Sequence, residues 1–450
     1  MRKIIDIHCH SLDDSQVDWA RELGYVKIGL IDHRPAVLAE RMGKHGDFVA
    51  GIGWVPLDKG AEASIAAMEE FRRIGCLGIK ACSVPKRYDD LEYYPVWEKA
   101  QEYNLPIFFH TGWLDQRVAW QTYPGGGRVM ADNHHPITLD KITLDFPALK
   151  LVAYHFGGAY VPDTSLLLYN HANIYADSCR KFSRDLFWLQ VGGDDSGHRI
   201  ISKMLFGTDG MATSQTHSEW VQELDSMLEH WKAPQGLKDR IFYKNSLHVL
   251  GLDEELKKTA VAAKAAPSQM TAQAAIDRKA AGALLSDFVD IGPGFGSQAK
   301  FATDCWIGYD DKALHMAFRC QDNDTANLAQ SRGPLEHIWQ DDCVEIFLSP
   351  GRGRDYFQII LSSSGRACVT RCKRDLRDIS QLATATVAPD AWSAGISIPF
   401  DTLGCLPRCG DKWSMNICRD KQTLPQETAG WMEVSTTFHD PSSFGYLQFK

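Results

Sequence analysis

The sequence has no apolar run approaching the roughly 20 residues that cross a bilayer as a helix, which excludes a helical membrane protein. It has no surplus of basic charge either: 57 acidic residues outweigh 48 basic ones, the net charge is −9, and the two signs are mixed along the chain. That pattern excludes the basic stripe of a nucleic-acid binder and the polybasic patch of a membrane-surface protein. The first apolar strand begins almost at Met1, leaving no room for a signal peptide, so the expected compartment is the cytoplasm. No CxxC pair occurs among the 12 cysteines, and the eight from Cys305 to Cys418 are irregularly spaced. They read as small buried hydrophobes rather than a disulfide framework.

What remains is a globular composition, 44% hydrophobic and 23% charged, in 450 residues, for which two domains are the natural expectation. Short β-rich runs recur through the first half: "IIDIHCH", "VKIGLI", "FVAGIGWV", "CLGIKACS", "PIFFHTG", "LKLVAYHFGG", "NIYADSC" and "KMLFGTDG". Between most of them lie stretches with apolar residues three and four apart, such as "EASIAAMEEFRRIG". Strand then helix, eight times in about 250 residues, predicts an α/β fold, a (β/α)8 TIM-type barrel over 1–256. The active site of that fold forms at the C-terminal ends of the strands.

Two histidines, His8 and His10, close the first run with only Cys9 between them. On a strand, Asp6, His8 and His10 share a face. Two imidazoles there suit either a metal or a core. The barrel supplies the test: other ligand-type residues must stand at other strand ends, and His110, His155 and Asp209 do, with Lys80 near the end of the fourth strand.

"DIHCH", "GIK", "PIFFHTG", "YHFGG" and "FGTD", in this order, resemble the metal-dependent amidohydrolase superfamily, in the branch of aminocarboxymuconate-semialdehyde decarboxylase and several lactone hydrolases. The resemblance implies one divalent metal, zinc in the first place and manganese or another divalent ion as alternatives, bound by His8, His10, His110 and Asp209. It also implies that His155 stands beside the attacking water as a base or hydrogen-bond partner, with Asp209 sharing the catalytic role. In binuclear relatives a lysine at the place of Lys80 bridges two metals; a salt bridge inside the barrel or contact with a substrate carboxylate are the other readings of Lys80. Substrate residues are expected on the loops after the strands, where Trp113, Arg117, Arg128, His134, His135 and Arg180 are candidates, with Asp177 at the end of "NIYAD" to orient a ligand or a loop.

After "HVLGLDEEL" the chain turns to "KKTAVAAKAAPSQMTAQAAIDRKAAG", with almost no large apolar residues, which reads as a linker over 257–283. From 284 to 450 alternating apolar residues around Asp-Asp-Lys, Gly-Arg-Gly-Arg and Ser-Ser-Gly predict hairpins and a β-sandwich. "WQDDCVEIFLSPGRGRDYFQIILSSSGRACV" with "WSAGISIPFDTLG" resembles family 9 carbohydrate-binding modules. Trp339, Trp392, Trp413 and Trp431 are the stacking candidates, with Asp341, Asp342 and Glu345 for hydroxyls; core packing of the tryptophans and a calcium site or turn closure by Asp341 and Asp342 are the alternatives.

The sequence thus points to a hydrolase that opens a lactone, ester or amide bond in a sugar-derived or small carboxylic acid. A non-oxidative decarboxylase and a non-enzymatic carbohydrate-binding protein on a retired barrel are the alternatives. The partners expected are a small-molecule substrate and a sugar for the second domain, with neither nucleic acid nor membrane, and with room for a homo-oligomer.

Overall fold

The computed structural model describes residues 2–114, 130–179, 200–210, 214–292, 294–350, 355–434 and 437–450. The chain divides into two compact units, Met1–Glu254 and Glu255–Lys450. No helix among the described residues is long and apolar enough to cross a membrane.

In the first unit all eight expected strands form: β1 Ile4–Cys9, β2 Tyr25–Asp32, β3 Val49–Trp54, β4 Gly78–Ala81, β5 Ile107–His110, β6 Leu151–Tyr154, β7 Ile174–Asp177 and β8 Met204–Leu205. They pair in sequence order, every pair parallel. The ring is drawn closed where Ile7 N–H donates to Phe206 O at 3.0 Å, just past β8. Strand parity sorts the side chains as the period of two requires. On β5, Phe108 turns inward onto Tyr154, while Phe109 turns outward onto Trp97 of the helix Tyr94–Glu102. Leu205, Val152, Ile52 and Phe108 belong to one buried cluster that fills the barrel interior. The C-terminal ends of the strands stand above it, and that end carries His8, His110, Asp177 and, just beyond β8, Asp209.

The second unit is all-β apart from short helical turns. Its strands form one continuous mixed sheet that curls over, so that residues of both halves, among them Phe318, Ile346, Trp392 and Trp413, share one core. Hairpins form at Asp-Asp-Lys, between Thr303–Tyr309 and Ala313–Gln321, and at Ser-Ser-Gly, between Phe357–Ser362 and Ala367–Arg371. The Gly-Arg-Gly-Arg turn lies outside the described residues.

The segment 257–283, expected as a linker, is instead built into this unit. Thr259–Lys264 is a strand paired in parallel with both Gly445–Phe449 and Thr303–Tyr309, so it joins the two halves of the sheet. Met270 and Ala275 are buried with Trp306 and Ala317. The close approach is visible at Gly395, where a Cβ would meet Met270 O at 2.7 Å and Ala272 N at 2.9 Å. Small alanines suit a segment laid flat on a sheet, which is why composition alone misread it. All 12 cysteines are free, and nine are buried, as small hydrophobes should be.

Candidate metal centre

His8, His10 and Asp209 converge at the open end of the barrel, each offering a ligand atom within 4.8 Å of the others. Strand β1 is irregular between Asp6 and Cys9, and its end is pinned by Asp6, whose Oδ1 accepts the His8 and Thr208 backbone N–H groups and whose Oδ2 accepts the Thr208 hydroxyl at 2.6 Å. His8 is fully buried. Its Nδ1 sits 2.6 Å from Asp177 Oδ2, and its ring stacks on Tyr154 at 3.7 Å between centroids. Nδ1–H directed at a carboxylate leaves Nε2 as the lone-pair nitrogen. That Nε2 lies 3.1 Å from Asp209 Oδ1 with no well-aligned hydrogen bond, so a buried nitrogen is left without a partner among the described residues. His10 Nε2 lies 3.4 Å from the same oxygen.

The charges are mutually set. Burial opposes ionisation of Asp209, but the charge of His8 and the approach of His10 outweigh it and hold the carboxyl well below its ordinary range. Burial and the Lys80 charge oppose protonation of His8; Asp209 and Asp177 outweigh them and raise it. Burial pushes His10 down to about 4. Two imidazoles and a carboxylate that converge in this way match the donor types of zinc and related ions.

Two of the groups are held in strained backbone. His155 (φ 65°) and Asp209 (φ 59°) both adopt the left-handed region, unusual for residues with a Cβ. Asp177 Oδ1 accepts the His155 backbone N–H at 2.5 Å, so one carboxylate fixes both His8 and His155. Gly207 makes the pairing feasible, because a Cβ there would lie 2.8 Å from Asp177 Oδ2 and 3.1 Å from His8 Cβ. Gly210 O, next to Asp209, accepts from the Thr208 hydroxyl at 3.0 Å and from His217 Nε2 at 3.2 Å.

The other expected residues divide. His155 is buried with Nε2 3.1 Å from His110 Nδ1 and Nδ1 3.2 Å from Cys179 Sγ; burial, then the His8 charge, pushes it well below its usual value, so it is neutral near pH 7. His110 stands outside the His8–His10–Asp209 group: its Nδ1 faces His155 and its Nε2 donates to Trp113 O at 3.4 Å. Trp113 is exposed. His134 is fully buried beside His110, 5.4 Å between rings. His135 points elsewhere, with its ring on Tyr160 and Nδ1 accepting the Ile137 N–H to close the turn before the helix Thr138–Asp145. Asp177, expected to orient a ligand or a loop, lies behind His8 and fixes its ring. Lys80 is buried with Nζ 3.9 Å above the Tyr154 ring. Arg117, Arg128 and Arg180 lie outside the described residues.

Sequence reasoning missed Tyr154, Thr208, Cys179 and Trp54, the last 6.3 Å from the His10 ring. Parity could have found Tyr154, two residues after the inward Val152.

In the second unit Trp392, Trp413 and Trp431 are core residues, whereas Trp339 is 48% exposed. Asp341 and Asp342 close loops, accepting backbone N–H groups of Ser331 and of Ala329 and Gln422. Glu345 is buried beside Asp420 and accepts from Gln358 Nε2 at 2.7 Å.

The amidohydrolase family model matches residues 5–252, more than half of the chain, and the chain belongs to that family. Solved structures similar to it include a TIM-barrel protein from Bordetella bronchiseptica (16% identity, 56% of this chain and 99% of that one, TM-score 0.43). They also include 2,6-dihydroxybenzoate decarboxylase from Rhizobium (13% identity, 56% and 99%, TM-score 0.41). A family 9 carbohydrate-binding module from Caldicellulosiruptor kristjanssonii in complex with cellotriose is similar over a different share (16% identity, 43% and 94%, TM-score 0.32). No curated protein matches the chain.

Proposed function

We propose that the first unit is a metal-dependent hydrolase that opens a lactone, ester or amide bond in a sugar-derived or small carboxylic acid. The observation that carries this reading is the convergence of His8, His10 and Asp209, with His8 Nε2 unpartnered and its Nδ1 tied to Asp177. His8, His10 and Asp209 would hold one divalent ion, zinc in the first place, and His110 would join them only by turning away from His155. Such an ion supplies Lewis acidity, polarising a carbonyl oxygen and lowering the pKa of water towards about 7.

The chain's own groups do the rest. Asp209 is held ionised beside His8 and His10, the form in which a carboxylate ligates a metal. His155, the proposed base, is neutral and buried, and its pairing with His110 and Cys179 fixes its ring. The apolar barrel cluster below closes the site from that side. For the second unit, Trp339 offers the exposed ring on which a sugar stacks, the other three tryptophans being structural.

The test is metal analysis of the purified protein, followed by a substrate panel scored for acid release against carbon dioxide release. About one metal per chain, lost in His8→Ala, with acid released, is the expected result. Carbon dioxide release would transfer the site to decarboxylation, and a metal-free, inactive protein would leave only a binding role. Calorimetry with a sugar panel on wild type and Trp339→Ala tests the second unit: binding unaffected by the substitution would remove Trp339 from it.

A further inference from the structure

Lys80 and His134 are buried at this end of the barrel, their side-chain nitrogens bond no described residue, and the proposed reaction does not use them. Lys80 is 1% exposed, and its Nζ makes no hydrogen bond among the described residues; it lies over the Tyr154 ring, on which His8 also stacks. His134 is 0% exposed with neither ring nitrogen bonded, and its ring lies against His110. A buried ammonium with three unused donors is costly, and native structures keep such groups where something else completes them. The charge of Lys80 acts against protonation of His8, His10, His110, His134 and His155, so it lies near them.

We propose that Lys80, assisted by His134, is the recognition site for a carboxylate of the substrate, next to the metal-ligating group and inside the barrel. The assignment rests on the hydrolase reading and refines it, replacing the bridging role for Lys80 with a binding one. One enclosed ammonium balances one negative charge; a doubly charged phosphate would bury a surplus. His134, buried with neither ring nitrogen bonded among the described residues, can donate one hydrogen bond to the second carboxylate oxygen. The Tyr154 face holds the ammonium in place.

The probe is acetate, titrated against full-length, metal-containing protein by calorimetry, with acetamide and inorganic phosphate as controls and metal content measured in every sample. Acetate should bind and acetamide should not. Lys80→Gln should weaken acetate by about tenfold or more, the loss expected for a hydrogen bond to a charged group. His134→Asn should weaken it less, and neither change should alter the metal content. Lys80→Met, without acetate, should melt no lower than wild type, because it removes an unpaired buried charge. Acetate binding that ignores Lys80, equal binding of acetamide, tighter binding of phosphate, no acetate binding at all, or loss of metal in Lys80→Gln would each overturn the assignment. Wild-type protein without metal that still binds acetate through Lys80 would sink the hydrolase reading and leave this one standing.

Discussion

At the scale of single residues, Asp177 carries more than its place at the end of β7 suggests. One oxygen orients His8 and the other holds the left-handed backbone of His155, so Asp177→Asn should disturb both at once. Loss of a carboxylate behind a metal-ligating histidine costs about 10–100-fold in metal affinity, and metal titration of the variant should show a fall of that order with the far-ultraviolet spectrum unchanged. Gly207→Ala should reproduce the defect by steric means, since its Cβ would press on the same pair. If Gly207→Ala bound metal as wild type does, the Asp177–His8 pairing would not be what holds the site. His155→Ala removes the proposed base, and turnover on the true substrate should drop by about 10²–10⁴ while metal content stays. Turnover within a few-fold of wild type would transfer the role elsewhere.

At the scale of elements, periodicity made the eight strands legible, because each is a short apolar run whose alternate residues have to face either the barrel interior or the helices. The same period found His110 and placed Phe109 outward. It could not place His155, which by parity follows the inward Tyr154 and should face out; left-handed conformations at His155 and Phe156 turn it back in. Backbone of that kind has no sequence period. Nor could composition place 257–283, since an alanine-rich strand between two neighbours carries little apolar signal of its own. The consequence is testable. Thr259–Lys264 joins both halves of the second sheet, so a fragment from residue 284 lacks the strand between Gly445–Phe449 and Thr303–Tyr309, whereas one from residue 255 keeps it. The longer fragment should unfold cooperatively on heating and the shorter should not. A cooperative, equally stable shorter fragment would return 257–283 to the status of a linker.

At the scale of the whole chain, two units with separate cores should answer to different variables. The first, on the proposed reading, is stabilised by metal in proportion to the logarithm of metal concentration over its dissociation constant, so a chelator should lower its melting temperature. The second contains Glu345 and Asp420, whose carboxyls burial pushes up to about 8 and about 6, the Asp420 charge adding to the rise at Glu345. The pair titrates as a unit, and the sign follows from linkage. Both folded values lie above the ordinary 4.5 and 3.8, so between those values and about 8 the native state holds more protons than the unfolded one. Stability is therefore full below about pH 4 and lost as pH rises through the folded values. Differential scanning calorimetry of the full chain should resolve two transitions. Raising the pH from 5 to 8.5 should lower the one that Glu345→Gln makes less pH-dependent, and a chelator should move only the other. A single transition that shifts with both variables would mean that the units melt as one body. A second-unit transition flat in pH for wild type and Glu345→Gln alike would mean that the buried pair is already ionised at pH 5.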